Sequence, residues 1–220
     1  MIDFNFTAYN EDVVIVGMKG SGKSFLANEL MRGLRGINCI AFDFNHQFHD
    51  AHAVITHDVT ELFMMYQKLN GGHFIFQPYD KSENTFNRFC SEIFLLNNCV
   101  ALIDECHQYV SKMRILKPYN DLILSGRPRG ISVISISSRP QNLPSNTLTN
   151  ARHIFAFHLG LESDLLYLQN WLGSQVWALI EPDQRPKRIR EKIGDIPRAE
   201  QHTFFYRDTN ANEGIFGKIG

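Results

Sequence analysis

The stretch "GMKGSGKS", residues 17 to 24, decides the fold class that this 220-residue sequence predicts. It matches the Walker A spacing GxxxxGK[ST] at every fixed position, and we refer to it as the phosphate loop. An apolar, β-branched run precedes it at residues 12 to 17, and a segment with leucines spaced four apart follows it at residues 23 to 35. This order of strand, glycine loop and helix is the context in which such a loop binds the phosphates of a nucleotide.

The phosphate loop offers several kinds of group to a triphosphate such as ATP. Its glycines lack Cβ, so backbone N–H groups can approach phosphate oxygens closely, and the N-terminus of the following helix adds partial positive charge. Lys23 is expected to bind the β and γ phosphates, and Ser24 is expected to bind Mg²⁺. The residues expected to bind ATP are Gly17, Met18, Lys19, Gly20, Ser21, Gly22, Lys23 and Ser24.

Strand-like and helix-like segments alternate along most of the chain. Such alternation predicts an α/β fold, with a central, mostly parallel sheet flanked by helices. Residues 1 to 160 are expected to form the core, and residues 161 to 220 a small carboxyl-terminal extension packed on the same domain. Beyond the first strand and helix, strands are predicted at 37 to 45, 73 to 77, 99 to 105, 131 to 137 and 152 to 159, an edge strand at 202 to 207, and helices at 59 to 69, 83 to 96, 118 to 126 and 162 to 173.

Two adjacent acids end the apolar strand "CVALIDE", residues 99 to 105. Parallel sheets place ligand-binding groups at the carboxyl ends of their strands. Asp104 is therefore expected to hold Mg²⁺, and Glu105 to activate a water for attack on the γ phosphate. Paired carboxylates favour hydrolysis. A small-molecule or nucleoside kinase stays open as an alternative, although the arginine-rich lid and acceptor pocket of such an enzyme cannot be recognised.

The segment "LSGRPRGISVISISSRPQNLP", residues 124 to 144, contains a "GR.RGI" pattern, an apolar strand and an Arg-Pro pair. Together with the phosphate loop and the acid pair, it resembles the FtsK/HerA superfamily of P-loop ATPases, and especially the genome-packaging ATPases of membrane-containing icosahedral viruses. The resemblance implies a RecA-like fold of the ASCE type. It also implies that Arg127 reaches into a neighbouring subunit's nucleotide site, and that "SSRP" holds the γ-phosphate sensor: Ser137, Ser138 or Arg139. The family commonly has Gln where this chain has Ser138.

The resemblance implies an ATP-driven translocase that works as a ring, with six subunits as the expected number, on double-stranded DNA. Capsid or membrane-vertex proteins are the further partners it implies, and the host cytoplasm or the virion is the expected location. A cellular HerA-type helicase-translocase shares the motor, but it would usually carry an added domain. A filamentous-phage assembly ATPase would need a membrane anchor, and the sequence has no uninterrupted apolar run of about 18 residues.

Charge is distributed unevenly although the net charge is −1. Residues 1 to 110 hold 7 Lys+Arg against 13 Asp+Glu, whereas residues 111 to 220 hold 15 against 10. A neutral protein can still present a basic face to a polyanion. "RPKRIREK", residues 185 to 192, is a candidate for contact with DNA phosphates, although a solvated face explains it about equally well. "MRILKPYN", residues 113 to 120, is a rival candidate, as a loop that faces the translocation pore.

Two further groups of residues suggest metal or redox chemistry only weakly. Four histidines interleaved with acids follow the second strand, but a loop is a poor scaffold for zinc, so a polar connection is the preferred interpretation. The four cysteines lack CxxC spacing and lie among apolar residues, which indicates reduced core residues. These residues are His46, His49, His52 and His57, and Cys39, Cys90, Cys99 and Cys106.

Overall fold

The structure is a computed structural model that describes residues 10–193, 198–210 and 214–219, without the side chains of residues 192 and 193. The strands in these ranges are β1 Asp12–Val16, β2 Asn38–Phe42, β3 Val54–Thr56, β4 His73–Phe76, β5 Cys99–Ile103, β6 Ile131–Ser137, β7 Ala151–Ala156, β8 Thr203–Asp208 and β9 Ile215–Lys218. The helices are α1 Lys23–Gly33, α2 Val59–Leu69, α3 Glu83–Leu95, α4 Lys117–Ser125, α5 Ser145–Asn150, α6 Glu162–Leu172 and α7 Lys187–Ile193.

All the described strands belong to one sheet, in the order β3-β4-β2-β5-β6-β1-β7-β8-β9. Strands β1 to β7 run parallel to one another, whereas β8 is antiparallel to β7 and β9 is antiparallel to β8. Strand β6 lies between β1 and β5, so its carboxyl end separates the phosphate loop from the acid pair. The predicted α/β class with a mostly parallel sheet is confirmed.

Apolar cores lie on both faces of the sheet. Successive residues of a strand point to opposite sides, so each strand contributes side chains to both cores. In β1, Val14 and Val16 belong to the core on one face, together with side chains of α2 to α6. Val13 and Ile15 belong to the core on the other face, where α1 packs. Near-continuous apolar strands are what a parallel sheet covered on both faces requires.

Several elements differ from the sequence-based expectation. Strand β8 is not an edge strand, because β9 pairs with it on the outside. The histidine-rich connection contains β3, which at three residues is too short to leave a periodic pattern. The core and extension boundary at residue 160 stays a prediction, although β8 and β9 continue the sheet of the core. No helix in the described ranges is long and apolar enough to cross a membrane.

Candidate nucleotide-binding site

The phosphate loop connects β1 to α1 through backbone conformations that glycine adopts readily. Gly20 and Gly22 have φ of +78° and +112°, in the left-handed region. A Cβ on Gly22 would lie 2.3 Å from Ile219 Cδ1, so a larger residue would displace that side chain. A Cβ on Gly20 would meet nothing within 4 Å, so this part of the loop faces open space. The loop therefore presents exposed backbone on one side and packs tightly on the other.

Lys23 extends from the first turn of α1 along the inside of the loop. Its side chain is buried, and its Nζ donates a hydrogen bond to Met18 O at 3.1 Å. Burial lowers the pKa of Lys23, and the negative charges of Glu105 and Asp104 oppose that shift. The ammonium thus belongs to one electrostatic group with the acid pair. Lys23 and Glu105 also line one cavity, so the phosphate loop and the turn after β5 lie side by side.

Asp104 is almost fully buried directly after β5. The pKa of Asp104 is raised to about 7, chiefly by burial and also by the neighbouring Glu105 and Asp43 carboxyls. Lys23 and a hydrogen bond from Asn45 Nδ2, at 3.2 Å, act in the opposite direction. A carboxylate in such surroundings is well suited to neutralisation by a divalent cation. Together with the Ser24 hydroxyl it offers the oxygen ligands that Mg²⁺ prefers, so the residues present fit a magnesium ion.

Glu105 has an uncommon backbone conformation for a residue with a side chain, with φ 46° and ψ 40°. Its Oε2 accepts a hydrogen bond from Ser138 Oγ at 3.0 Å and lies 3.1 Å from His107 Nδ1. Burial lowers the pKa of His107, while Glu105 opposes that shift. Glu105 is therefore held at the edge of the site by one residue from the next strand and one from its own turn.

A loop after β2, residues 43 to 48, reaches both expected magnesium ligands. Gln47 Oε1 accepts a hydrogen bond from Ser24 Oγ at 2.7 Å, while Asn45 binds Asp104. The loop is anchored by the fully buried Asp43, whose carboxylate accepts hydrogen bonds from the backbone N–H groups of Gln47 and Phe48, at 2.8 and 3.1 Å. These residues belong to no recognisable sequence motif, although they follow the carboxyl end of a parallel strand, as Asp104 does.

These elements surround a cavity of about 670 Å³. Ligand pockets for small molecules commonly measure roughly 300 to 1,000 Å³. Residues of the phosphate loop line its centre, Glu105 and Ser138 line the acid side, and His202 and Ile219 also contribute. The cavity can therefore accept a triphosphate against the loop, with carboxylates close by.

The candidate sensor residues have different surroundings. Ser137 is fully buried, and its Oγ accepts a hydrogen bond from Arg139 N at 3.0 Å. The Arg139 guanidinium lies beside the buried Asp164 carboxyl, with 3.4 Å between Nε and Oδ2. Ser138, by contrast, contacts Glu105 directly. Of the three, Ser138 is the one that lines the cavity.

Arg127 does not lie in this chain's own site. It belongs to a short 3-10 turn that precedes β6, whereas the nucleotide cavity lies where β6 ends. Its nearest surroundings include the buried Asp12, at the start of β1, and a polar cavity of about 300 Å³ shared with Glu11 and Arg152. A role for Arg127 at a nucleotide therefore requires the nucleotide of another subunit, and it stays a prediction.

The basic segments differ in accessibility. Arg185 is buried and donates a hydrogen bond to Ile180 O at 3.4 Å, so its inclusion among candidate DNA contacts was wrong. Arg188 and Arg190 are exposed on α7. In the other segment Met113 is 96% exposed, whereas Tyr119 is buried against Ser135 and Thr147.

The histidines and cysteines do not form a metal centre in the described ranges. His57 Nδ1 lies 2.7 Å from Gln77 O, and Asp50 pairs with His73 at 2.6 Å. Among the residues with described positions, no group of three or more His, Cys, Asp or Glu side chains could hold a metal ion. All four cysteines are free and buried, as predicted.

No protein-family model matches this chain, and no curated protein matches it in sequence. Several solved structures share its fold. The genome packaging NTPase B204 from Sulfolobus turreted icosahedral virus 2, in complex with ATP-gammaS, is 18% identical with a TM-score of 0.71 over 95% of this chain and 97% of that chain. VirB4 of Thermoanaerobacter pseudethanolicus is 10% identical with a TM-score of 0.59 over 95% and 89%.

A third similar structure is the pCW3 conjugation coupling protein TcpA, in its monomer form with ATPgS, at 15% identity and a TM-score of 0.53. The match covers 95% of this chain and 60% of the TcpA chain. These likenesses confirm the RecA-like α/β fold that the sequence predicted. They also agree, at the level of fold, with the resemblance to genome-packaging ATPases that the motifs carry.

Proposed function

We propose that this chain is an ATP-driven DNA translocase, and specifically a viral genome-packaging ATPase that acts as a ring on double-stranded DNA. The observation that carries the proposal is the meeting of Lys23, Glu105 and Ser138 around one cavity, with the buried Asp104 next to Glu105. The fold supports it, because a structure of similar size and topology is described as a genome packaging NTPase bound to ATP-gammaS.

Each part of the cavity has a distinct role in the proposed hydrolysis. Backbone N–H groups of the phosphate loop and the Lys23 ammonium bind the β and γ phosphates. Ser24 and Asp104 would hold Mg²⁺, which neutralises phosphate charge when it is bound. Glu105 accepts a proton from water as the water oxygen bonds to the γ phosphorus. The bond from that phosphorus to the β–γ bridging oxygen breaks, which yields ADP and inorganic phosphate.

Hydrolysis is proposed to depend on a neighbouring subunit. An arginine finger accelerates such reactions by about 10³ to 10⁵, or roughly 4 to 7 kcal/mol of barrier. Arg127 lies at the amino end of β6, away from its own cavity, where it is available to another subunit's nucleotide. Supplying the finger in trans couples hydrolysis to assembly of a ring, for which the resemblance implies six subunits.

The proposed partners follow from the same motor. Double-stranded DNA would be bound through its phosphates, independently of sequence. Capsid or membrane-vertex proteins would receive the packaged genome, in the host cytoplasm or on the virion. A cellular HerA-type translocase, a filamentous-phage assembly ATPase and a small-molecule kinase remain the alternatives.

The test is the rate of phosphate release from ATP, with and without long double-stranded DNA, across a salt series. We expect DNA to stimulate release at low salt and the stimulation to fall as salt rises, because phosphate contacts release counterions. Lys23→Ala is the control for contaminating ATPase. Phosphate release that DNA leaves unchanged at every salt concentration would contradict the proposal, and phosphorylation of an added nucleoside would favour a kinase.

A further inference from the structure

The antiparallel pair of β8 and β9, which we call the hairpin, brings two residues from far along the chain to the nucleotide cavity. Strand β8 runs antiparallel to β7, and β9 runs antiparallel to β8, so the start of β8 and the end of β9 lie at the carboxyl edge of the parallel strands. Thr203 pairs with Lys218, and the Ile219 N–H donates to His202 O at 3.2 Å. His202 and Ile219 therefore line the same cavity as the phosphate loop.

The strand order fixes which end of a nucleotide faces this hairpin. Glu105 and Ser138 follow β5 and β6, on one side of β1, whereas the hairpin lies on the other side, beyond β7. The γ phosphate must lie toward Glu105, because that carboxylate activates the water that attacks it. A triphosphate bound along the phosphate loop consequently directs its nucleoside toward the hairpin.

The surface at that end of the cavity is more apolar than the phosphate loop itself. Phe25, in the first turn of α1, lines the cavity with its side chain 46% exposed. Ile219 is half-buried against the loop, close enough that a Cβ on Gly22 would collide with it. His202 presents an exposed imidazole from a backbone with φ 61°. Flat aromatic and aliphatic groups beside a phosphate site suit a nucleobase, which binds by stacking and apolar contact.

The hairpin is held firmly enough to form a wall. Phe204, the second residue of β8, is buried, and its ring lies 5.4 Å from the ring of Phe155 and 5.3 Å from that of Phe157. Phe157 also lies beneath the phosphate loop, where a Cβ on Gly17 would come within 2.6 Å of its Cβ. The loop and the hairpin thus share one packed layer, and the position of one depends on the other.

We propose that Phe25, His202 and Ile219 form the binding wall for the base and ribose of the nucleoside triphosphate. The proposal rests on the proposed function to the extent that a triphosphate occupies the phosphate loop. It assigns to the hairpin a role in nucleotide affinity, in addition to closing the sheet.

The test compares the binding of Mg-ATP with that of inorganic tripolyphosphate by calorimetry. The variants are Ile219→Ala and His202→Asn, since Asn tolerates the left-handed backbone of His202, and Ile219→Val is the matched control. We expect the double variant to bind ATP about tenfold more weakly because apolar contact with the base is lost. Tripolyphosphate has no base, so its affinity should change by less than about twofold.

If the variants bound both ligands equally more weakly, or bound ATP with unchanged affinity, the proposal of a binding wall would be overturned. A second measurement does not depend on the stability of the variants: in wild-type protein with labelled isoleucine methyl groups, Ile219 Cδ1 should show nuclear Overhauser effects to base or ribose protons of bound ATP. Their absence in a saturated complex would also overturn the proposal. Failure of both ligands to bind wild-type protein would instead contradict the proposed function itself. The expected difference between ATP and tripolyphosphate, found without DNA-stimulated hydrolysis, would support the wall and contradict the motor.

Discussion

Ser138 Oγ donates a hydrogen bond to Glu105 Oε2 at 3.0 Å, which links the carboxyl ends of β6 and β5. Ser138 Oγ also lies 3.3 Å from His107 Nε2, so the glutamate, serine and histidine form one polar cluster. Ser138 stands where the FtsK/HerA superfamily, which the sequence motifs resemble, commonly has Gln before Arg-Pro. The Ser138 hydroxyl, on a shorter side chain than that of Gln, thus positions the carboxylate proposed to activate water.

Glu105→Gln should separate nucleotide binding from hydrolysis. The amide retains an oxygen that can accept the hydrogen bond from Ser138, but it cannot take a proton from water. We expect ATP affinity within about threefold of wild type and phosphate release slower by about 10² or more. Calorimetry and a phosphate-release assay measure the two quantities. Normal turnover in this variant would show that another group activates the water.

Gln47→Ala should weaken the dependence of ATP binding on Mg²⁺. Gln47 accepts the hydrogen bond from the Ser24 hydroxyl and so directs the lone pairs of that oxygen. Loss of an outer-shell partner typically lowers metal affinity by about 10- to 100-fold. The Mg²⁺ concentration that half-saturates ATP binding should therefore rise, while binding of ATP in EDTA should stay the same.

Gln108→Ala is the matched control for this experiment. Gln108 lines the same cavity, but its Nε2 lies 3.5 Å from His107 Nε2 rather than near Ser24. It should leave the Mg²⁺ requirement unchanged. An equal shift in both variants would mean that Gln47 acts through the general polarity of the cavity and not through Ser24.

The site residues that the sequence alone could predict are those fixed by short-range pattern. Lys23 and Ser24 follow from spacing within one loop, and Asp104 follows from its position directly after an apolar strand. Gln47 was missed although the same strand-end rule applies to it, because a polar loop without a motif looks like any surface connection.

Other parts of the site could not be read from the sequence, because they depend on strand order. Ile219 lies at the phosphate loop only because β8 and β9 reverse direction beyond β7. The burial of Arg185 within a basic run likewise reflects tertiary packing. Arg127 precedes β6, so the sequence does predict that it lies at the edge of the sheet opposite the nucleotide cavity. The sequence does not predict how a neighbouring subunit is placed against it.

Arg127→Ala and Glu105→Gln subunits should complement each other in mixed assemblies. Each variant alone lacks one group required at every junction between subunits. In a randomly mixed ring roughly a quarter of the junctions contain both intact residues, because each heterologous interface joins unlike faces of two subunits. Hydrolysis should therefore recover to a comparable fraction of wild type. No recovery, with co-assembly demonstrated by differential labelling, would count against a finger supplied in trans.

Asp12→Asn should remove part of the pH dependence of folding. Burial raises the pKa of Asp12 from 3.8 to about 7, although its carboxylate accepts a 2.8 Å hydrogen bond from Val133 N. Since the folded state holds this proton more tightly than the unfolded state does, the group's stabilising contribution is complete below about pH 4 and disappears as pH rises toward 7. Asn keeps an oxygen acceptor and does not titrate.

Urea unfolding at pH 5 and pH 8 measures this effect as a difference between wild type and Asp12→Asn. The wild-type free energy of unfolding should fall between the two pH values by about 2 to 3 kcal/mol more than that of the variant, at about 1.36 kcal/mol per pKa unit. Other titrating groups cancel in the comparison. Parallel pH profiles for the two proteins would show that Asp12 titrates normally in the folded state.

ATP-dependent displacement of a third-strand oligonucleotide from double-stranded DNA tests the central claim most directly. Wild-type protein assembled on DNA should remove the third strand in the presence of Mg-ATP, and Glu105→Gln protein should bind the same DNA without removing it. Sustained ATP hydrolysis by DNA-bound wild-type protein, with the third strand left in place, would contradict translocation.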